Sequence, residues 1–505
     1  MSWSSLRYLA DWMEVGTTPL RWKDVKANPK EREERMHRTN VALLEYADSD
    51  LLRRTSIRSA KALKETLASA PATSAGQPSF RSFLVEDLST QVVEQLGRRF
   101  DVDPLFFREQ IDEYTWYNTR DPWVVAPSLL ISTKRRSWFR VRSVRLRYFS
   151  SNESFQQARD ESNGFNVLRR PDDDENHWHY LDAPGSIVAI TRTRTTIWVG
   201  KDGADGNNTV AIALVDPTVR EGSPLWYGHT NWLPTPGSEH PVPPRALLQS
   251  TLFETIKEAV LSHPWFGASS SAQQRLLVPT LYLVCAEWLV VCDYAKARLG
   301  QIEWELEKPD RFRPKGDVID TSLKRLHTWR RMLPVFREMV TETLEQALPA
   351  AARLSSVAQP GTSAQNDGFQ DIAAEYQRVL SALNELQART DRLTSVVTSE
   401  MSIEDSRRGL QENHNLARLT WLATIFIPLT FVSGLFSMQN ELPALKTTFG
   451  WYFCTAIPLT IAILFLARKL GGGSKTSLGM SRHVASPKGW QWIGRIRGPA
   501  ALERL

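Results

Sequence analysis

Two stretches near the C-terminal end of the chain depart from the pattern of everything before them. Leu419 to Met438 and Phe449 to Ala467 are almost free of charge, and only ten residues, Gln439 to Thr448, separate them. At ~1.5 Å of helical rise per residue, each can cross a hydrocarbon core ~30 Å thick. The pattern predicts a two-helix membrane hairpin. Just upstream, Ile372, Tyr376, Val379, Leu383, Leu386, Leu393 and Val397 recur at spacings of three and four, with Thr390 filling one gap. That is the seam of a packed helix. Gly409 weakens the helix and Pro428 kinks it, but nothing between Asp371 and Met438 obliges it to stop. We therefore expect one helix, opening near Asp371, running as a stalk ~100 Å long into the first apolar segment.

The first half alternates differently. Phe80 to Glu86 reads as a strand, and Asp87 is placed to cap a helix reaching Arg98. Val141 to Phe149 and Ile187 to Val199 alternate with period two, and Thr209 to Val215 follows a turn-rich Lys201 to Asn208, which predicts a β-hairpin. Ala68 to Pro78 reads as a loop, and the Pro-rich run from Pro234 to Pro244 as a boundary. Beyond it, helices are expected over about 246–263, 271–307 and 317–349, with a break at Gln359-Pro360-Gly361-Thr362. The predicted organisation is an α+β cytosolic domain (1–245), a helical bundle and stalk (246–417), a two-helix transmembrane hairpin (418–468) and a basic cytosolic tail (469–505).

Leu276 to Cys292 is also apolar, but Pro279 and Glu287 interrupt it and Asp293 closes it. A central carboxylate costs ~2.5–3.5 kcal/mol on insertion scales, so this segment reads as a buried helix of the aqueous part. With 23% charged residues in 505, the membrane part is a minority of the chain. Cys285, Cys292 and Cys454 show neither a disulfide framework nor zinc spacing. Cys285 and Cys292 are seven apart and share one helix face as core residues. The N-terminus carries no apolar run of the kind a signal peptide needs. Arg407, Arg408, Arg418, Arg468, Lys469, Lys475 and Arg482 flank the hairpin, whereas its loop holds only Lys446 and Glu441. By the positive-inside rule both termini are cytosolic, and a plasma membrane is expected in preference to an organelle.

The local sequence of the hairpin is specific. Asn413 lies seven positions before the Thr of Leu419-Thr420; Pro428-Leu429-Thr430-Phe431 follows, then Gly434, then Phe436-Ser437-Met438-Gln439. This run resembles the CorA family of divalent-metal, chiefly Mg²⁺, transporters, with the look of a divergent, fungal-type member. In that family an aromatic residue and Gly-Met-Asn close the first membrane helix; here Ser437 stands for the glycine and Gln439 for the asparagine. The outer loop reads Pro443-Ala444-Leu445 where the family has Pro-Glu-Leu, leaving Glu441 as its acidic residue.

The resemblance implies a homopentamer in membrane lipid, with the first helix of each subunit lining a pore. Carried over residue by residue, the lining is Asn413, Leu416, Leu419, Ile427, Thr430 and Gly434. The selectivity mouth is Phe436, Ser437, Met438 and Gln439, where the Gln439 amide holds a hydrated cation. Passive passage of divalent cations, Mg²⁺ first, is the function implied. No cofactor is bound permanently; Mg²⁺ or another divalent cation is the transported ion and a candidate regulatory one. Because the signature departs at Ser437 and Gln439, a non-conducting membrane-anchored sensor or scaffold is the competing expectation.

Other motifs are weaker. Asp172 to His179 packs four carboxylates and two imidazoles into eight residues, a metal-sensor candidate but more simply an exposed acidic loop. Asp202 to Asn207 lacks the closing glutamate of a calcium loop and reads as a turn. Seven basic residues between Lys134 and Arg147 suggest nucleic acid, but a strand with a basic polar face explains them, and no nucleic-acid partner is expected. Lys488 to Arg497 mixes Trp with Arg in a pattern suited to an anionic membrane surface. No nucleophile–base pair, Walker motif or dinucleotide fingerprint occurs, so an enzyme is not expected.

Overall fold

The computed structural model describes residues 9, 27–47, 50–69, 80–111, 128–167, 169–176, 182–202, 208–228, 251–262, 272–307, 318–356, 367–437 and 445–471. The chain divides into two compact units, Met1–Ser399 and Glu400–Leu505.

The first unit is organised around an eight-stranded mixed sheet. Its strands are β1 (Val41–Ala47), β2 (Asp50–Ile57), β3 (Phe80–Glu86), β4 (Trp138–Phe149), β5 (Asp172–Asp173), β6 (Ile187–Asp202), β7 (Asn208–Val215) and β8 (Ser223–Pro224). They lie in the order β2-β1-β3-β7-β6-β4-β8, with the two-residue β5 also paired to β6. Only β3 and β7 run parallel; the remaining pairs are antiparallel. The expected hairpin is the β6–β7 pair, with Thr195 opposite Val215 and Asp202 opposite Asn208.

Period-two alternation sends the side chains of β7 to two different cores. Val210, Ile212 and Leu214 pack with Leu63, Val92, Leu96 and Phe106 of three short helices, α1 (Ala60–Ala68), α2 (Thr90–Phe100) and α3 (Pro104–Ile111). Ala211, Ala213 and Val215 face the other way, into a larger core shared with the helical layer. That layer comprises α4 (Leu252–Ser262), α5 (Ala272–Glu307), α6 (Val318–Glu342), a π-turn (Thr343–Ala347), α7 (Leu348–Ser356) and the first part of α8 (Asp367–Phe436). Trp288, Trp329, Phe336 and Tyr376 are its large buried side chains.

Several expectations shift. The stalk helix α8 opens at Asp367, four residues before Asp371. The cap of α2 is Ser89, whose hydroxyl accepts from the Val92 amide, and not Asp87. Asp87 instead adopts a left-handed backbone (φ 55°) and is buried, its carboxylate accepting the amides of Asn166 and Val167 at 2.8 and 3.0 Å. The predicted 317–349 helix continues to Ser356 through the π-turn. Most of the Ala68–Pro78 loop, the Pro234–Pro244 boundary and the 472–505 stretch of the tail lie outside the described residues.

The apolar Leu276–Cys292 segment lies inside α5, where it is buried in the first unit. Among the described residues, three helices are long and apolar enough to cross a membrane, but the apolar window of α5 is 61% buried, against 11% for α8 and for the final helix. Burial in a protein core therefore accounts for the apolarity of α5. Cys285 and Cys292 share that core, where burial pushes both thiols up to about 12.

Candidate pore helix and hairpin

The second unit contains the end of α8 and the final helix α9 (Leu445–Gly471). Pro428 sits inside α8 and Pro458 inside α9. Each lacks the N–H that would complete an i→i−4 hydrogen bond, which is tolerated in membrane helices where neighbouring groups take up the freed backbone. One inter-helix contact is made close to Pro428: the Tyr452 hydroxyl points to the Leu429 carbonyl at 3.4 Å.

Burial along the membrane part of α8 is one-sided. Pro428 and Val432 are buried and Leu429 is half-buried, while on α9 Ala456 and Thr460 are buried. With the Tyr452–Leu429 contact, this burial marks the seam of the hairpin. Sequence reasoning missed it, although Ala456 and Thr460, four apart, are the small-residue spacing that lets membrane helices approach.

Of the predicted lining residues, two lie away from that seam. Thr430 and Gly434 are each two residues from Val432, and at ~100° per residue that is close to the opposite face. Leu416, Leu419 and Ile427 are 59%, 64% and 66% exposed, and Asn413, Thr430 and Gly434 are exposed with them. A Cβ built on Gly434 meets nothing within 4 Å. Hydroxyls near this face are held in place: Thr430 Oγ1 donates to the carbonyls of Phe426 and Ile427, both at 2.9 Å, and Thr420 and Thr424 donate to Leu416 and Thr420. Because the proton points back to the helix, the oxygen lone pairs of Thr430 remain available.

At the mouth, the Ser437 amide donates to the Ser433 carbonyl at 3.0 Å, so the helical turn extends to Ser437. Phe436 ends α8. Met438, Gln439 and Glu441 lie outside the described residues.

The weaker candidates are absorbed by the first unit. Among the described residues, no group of three His, Cys, Asp or Glu side chains is placed to hold a metal ion. His177 and His179 lie outside them. The acidic run is not simply an exposed loop: Asp172 and Asp173 pair with β6, and Asp174 is 2% exposed and bonded to Tyr294 of α5. The basic face of β4 is occupied by acidic partners and carbonyls. Glu342 accepts from Arg140 and Arg142 at 2.8 and 2.6 Å, Glu287 lies 3.1 Å from Arg145, and Arg147 donates to the carbonyls of Arg220 and Gly222.

The family described as CorA-like Mg²⁺ transporter protein matches residues 270–468, from the start of α5 to near the end of α9. The chain is similar to the complete structure of the CorA magnesium transporter from Methanocaldococcus jannaschii, with 11% identity and a TM-score of 0.39 over 85% of this chain and 97% of that one. It is similar also to the full-length CmaX protein, with 12% identity and a TM-score of 0.36 over 86% and 98% of the two chains. No curated protein matches it. The stretch that contains the stalk and both apolar helices is thus the part of the chain that is similar to the CorA-like Mg²⁺ transporter family.

Proposed function

We propose that the protein is a membrane channel or transporter for divalent cations, Mg²⁺ first among them, in which five copies each contribute α8 to a central pore. One observation supports the reading most directly. Pro428, Val432, Ala456 and Thr460 are buried, whereas Asn413, Leu416, Leu419, Ile427, Thr430 and Gly434 are exposed within the chain.

Mg²⁺ sheds its water reluctantly, so a conduit for it works by offering oxygen dipoles to the hydrated ion. Asn413 supplies an amide at one end of the face and Gln439 at the mouth, and the Thr430 oxygen accepts from the water shell between them. Leu416, Leu419 and Ile427 narrow the pore with apolar rings that conduct only when wetted. The ion moves down its electrochemical gradient, and no covalent step is involved. The Arg and Lys flanks of the hairpin support cytosolic termini, and a plasma membrane is the membrane proposed.

Flux into liposomes containing the purified protein tests the reading. Uptake of Mg²⁺, Co²⁺, Ni²⁺ or Zn²⁺ above that of empty vesicles is expected; no flux of any of the four would overturn it and leave the non-conducting scaffold.

A further inference from the structure

The final helix α9 presents two unlike faces. Ala456 and Thr460 are buried at the hairpin seam. Pro458, Ile461, Ala462, Phe465 and Leu466 line an open groove of about 610 Å³. At ~100° per residue these five positions centre ~180° from Ala456 and Thr460, so the groove faces away from the seam. All five lining side chains are apolar, and Ile461, Phe465 and Leu466 are 59%, 69% and 58% exposed. Pro458 and Ala462, four apart, are the small residues among them.

The groove ends where charge begins. Pro458 stands near the middle of the apolar Phe449–Leu466 span. From there the groove runs ~12 Å along the axis to Leu466, and position 469 lies ~16 Å away. One leaflet is half of a ~30 Å hydrocarbon core, so that distance reaches from mid-plane to headgroup level. Seven residues after Ala462 and four after Phe465, position 469 continues the groove's face of the helix. The residue there is Lys469, with Arg468 before it, and α9 is helical through both to Gly471. Between Glu441 and Glu503 the sequence holds no Asp or Glu, so neither cation has a carboxylate on its own stretch of chain.

We propose that this face of α9 is a binding site for one anionic phospholipid: an acyl chain lies along the groove, and the headgroup phosphate pairs with Lys469 and Arg468. Shape and charge agree on that occupant. The groove is one leaflet long, wholly apolar, and followed by two cations at the level where a phospholipid carries its phosphate. Pairing of phosphate with ammonium or guanidinium is charge-assisted, and it is strengthened at the edge of a low-dielectric bilayer.

A helix from a second copy fits this face less well. Membrane helices approach closely through small residues and interhelical hydrogen bonds, which Ala456 and Thr460 offer at the seam. Here Ile461, Phe465 and Leu466 hold a second backbone at a distance, and no lining hydroxyl or amide is present to bond across. A flexible acyl chain needs neither. The site rests on α9 crossing a bilayer, and not on the passage of cations along α8.

Native mass spectrometry of the full-length protein, released from micelles holding equal amounts of dioleoylphosphatidylglycerol and dioleoylphosphatidylcholine, counts the lipids retained per chain. Wild type should retain the anionic lipid in about tenfold excess, and Lys469→Gln should cut that excess about fivefold, the worth of one basic residue near an anionic headgroup. Lys469→Arg should keep it. Ala462→Trp fills the groove and should lower retention of the anionic lipid with both cations still in place. Equal retention of the two lipids by wild type marks ordinary bilayer contact and would overturn the proposal. An unchanged excess in Lys469→Gln, or unchanged retention in Ala462→Trp, overturns it too, because the lipid then sits elsewhere, as on the basic tail. If Ala462→Trp instead separates the copies of an oligomer, a second copy covers the groove and the proposal falls. Should that variant not insert, Ala462→Leu must show a smaller loss in the same direction, and no loss counts against the site. Lipid retention is read whether or not the protein conducts, so this result and the flux result stand apart.

Discussion

Glu287, in the middle of the most apolar stretch of α5, stands 3.1 Å from Arg145 on β4. The carboxylate that makes a membrane position costly for this helix is the same group that ties it to the sheet. Removing one member of a largely desolvated pair leaves the other unpaired, at a cost that falls with exposure. Glu287→Gln should lower stability by about 1–2 kcal/mol in denaturant titration, and Glu287→Gln with Arg145→Met should recover part of that. As a topological corollary, a tag placed within 308–317 should be reachable from the same side of the membrane as the N-terminus. Protection of that tag from one side while the N-terminus is open to it would overturn the placement of α5.

Two carboxylates should give the first unit opposite pH responses. Glu342 is buried, which raises its pKa, but Arg140 and Arg142 outweigh that and hold it below the usual glutamate value. A depressed folded value stabilises above the unfolded pKa near 4.5 and is lost as pH falls through the folded value. Glu342→Gln should therefore be most costly at neutral pH, with the difference from wild type shrinking below pH 4.5.

Glu86 is the reverse case. Burial pushes it up to about 7, against a hydrogen bond from Asn40. Its stabilising contribution is full below 4.5 and gone above 7, so at pH 8 the ionised side chain is a cost. Glu86→Gln should raise stability at pH 8 by about 1–2 kcal/mol and leave it nearly unchanged at pH 4.5. Melting curves at the two pH values check it; equal shifts at both would show that Glu86 does not titrate in the fold.

The architecture was legible wherever a period persisted. The 372–397 seam, the β6 and β7 alternation and the two apolar segments each repeat long enough for one face to declare itself. Asp87 was misread because an Asp before a helix usually caps it; here a tertiary demand, the amides of Asn166 and Val167, took the carboxylate and Ser89 took the cap. The buried Asp174 was invisible because its partner Tyr294 lies 120 residues away. The basic stripe of β4 was legible as one face, but not its acidic partners Glu287, Glu338 and Glu342, which the helical layer brings from far along the chain.

On α8, substitutions two residues apart should separate packing from passage. Gly434 faces open space within the hairpin, so Gly434→Leu should fold and insert normally yet cut cation flux at least tenfold by filling the pore face. Val432→Ala, on the buried seam, should instead weaken the hairpin, by about 1–3 kcal/mol for a lost pair of methyl groups, with flux per folded protein little changed. Proteoliposome flux normalised to folded protein distinguishes them. Equal flux losses from both would mean that the two faces are not functionally distinct.

The strongest test of the mouth is to restore the family signature. Ser437 follows the last turn of α8, where its amide still bonds to Ser433, and a serine there restricts a backbone that glycine would leave free. Gln439 keeps the amide of asparagine on a side chain one methylene longer, which in the proposed five-subunit pore would add one rotatable bond to each amide of the ring. Ser437→Gly with Gln439→Asn should shorten and stiffen that ring, raising Mg²⁺ flux several-fold relative to Co²⁺ and Ni²⁺. Gln439→Ala, which deletes the amide, should abolish discrimination among the ions while leaving Thr430 and the apolar rings in place. If the double variant and Gln439→Ala both match wild type in rate and ion preference, position 439 does not contact the permeating ion, and selection among cations must be sought along the Asn413–Thr430 face.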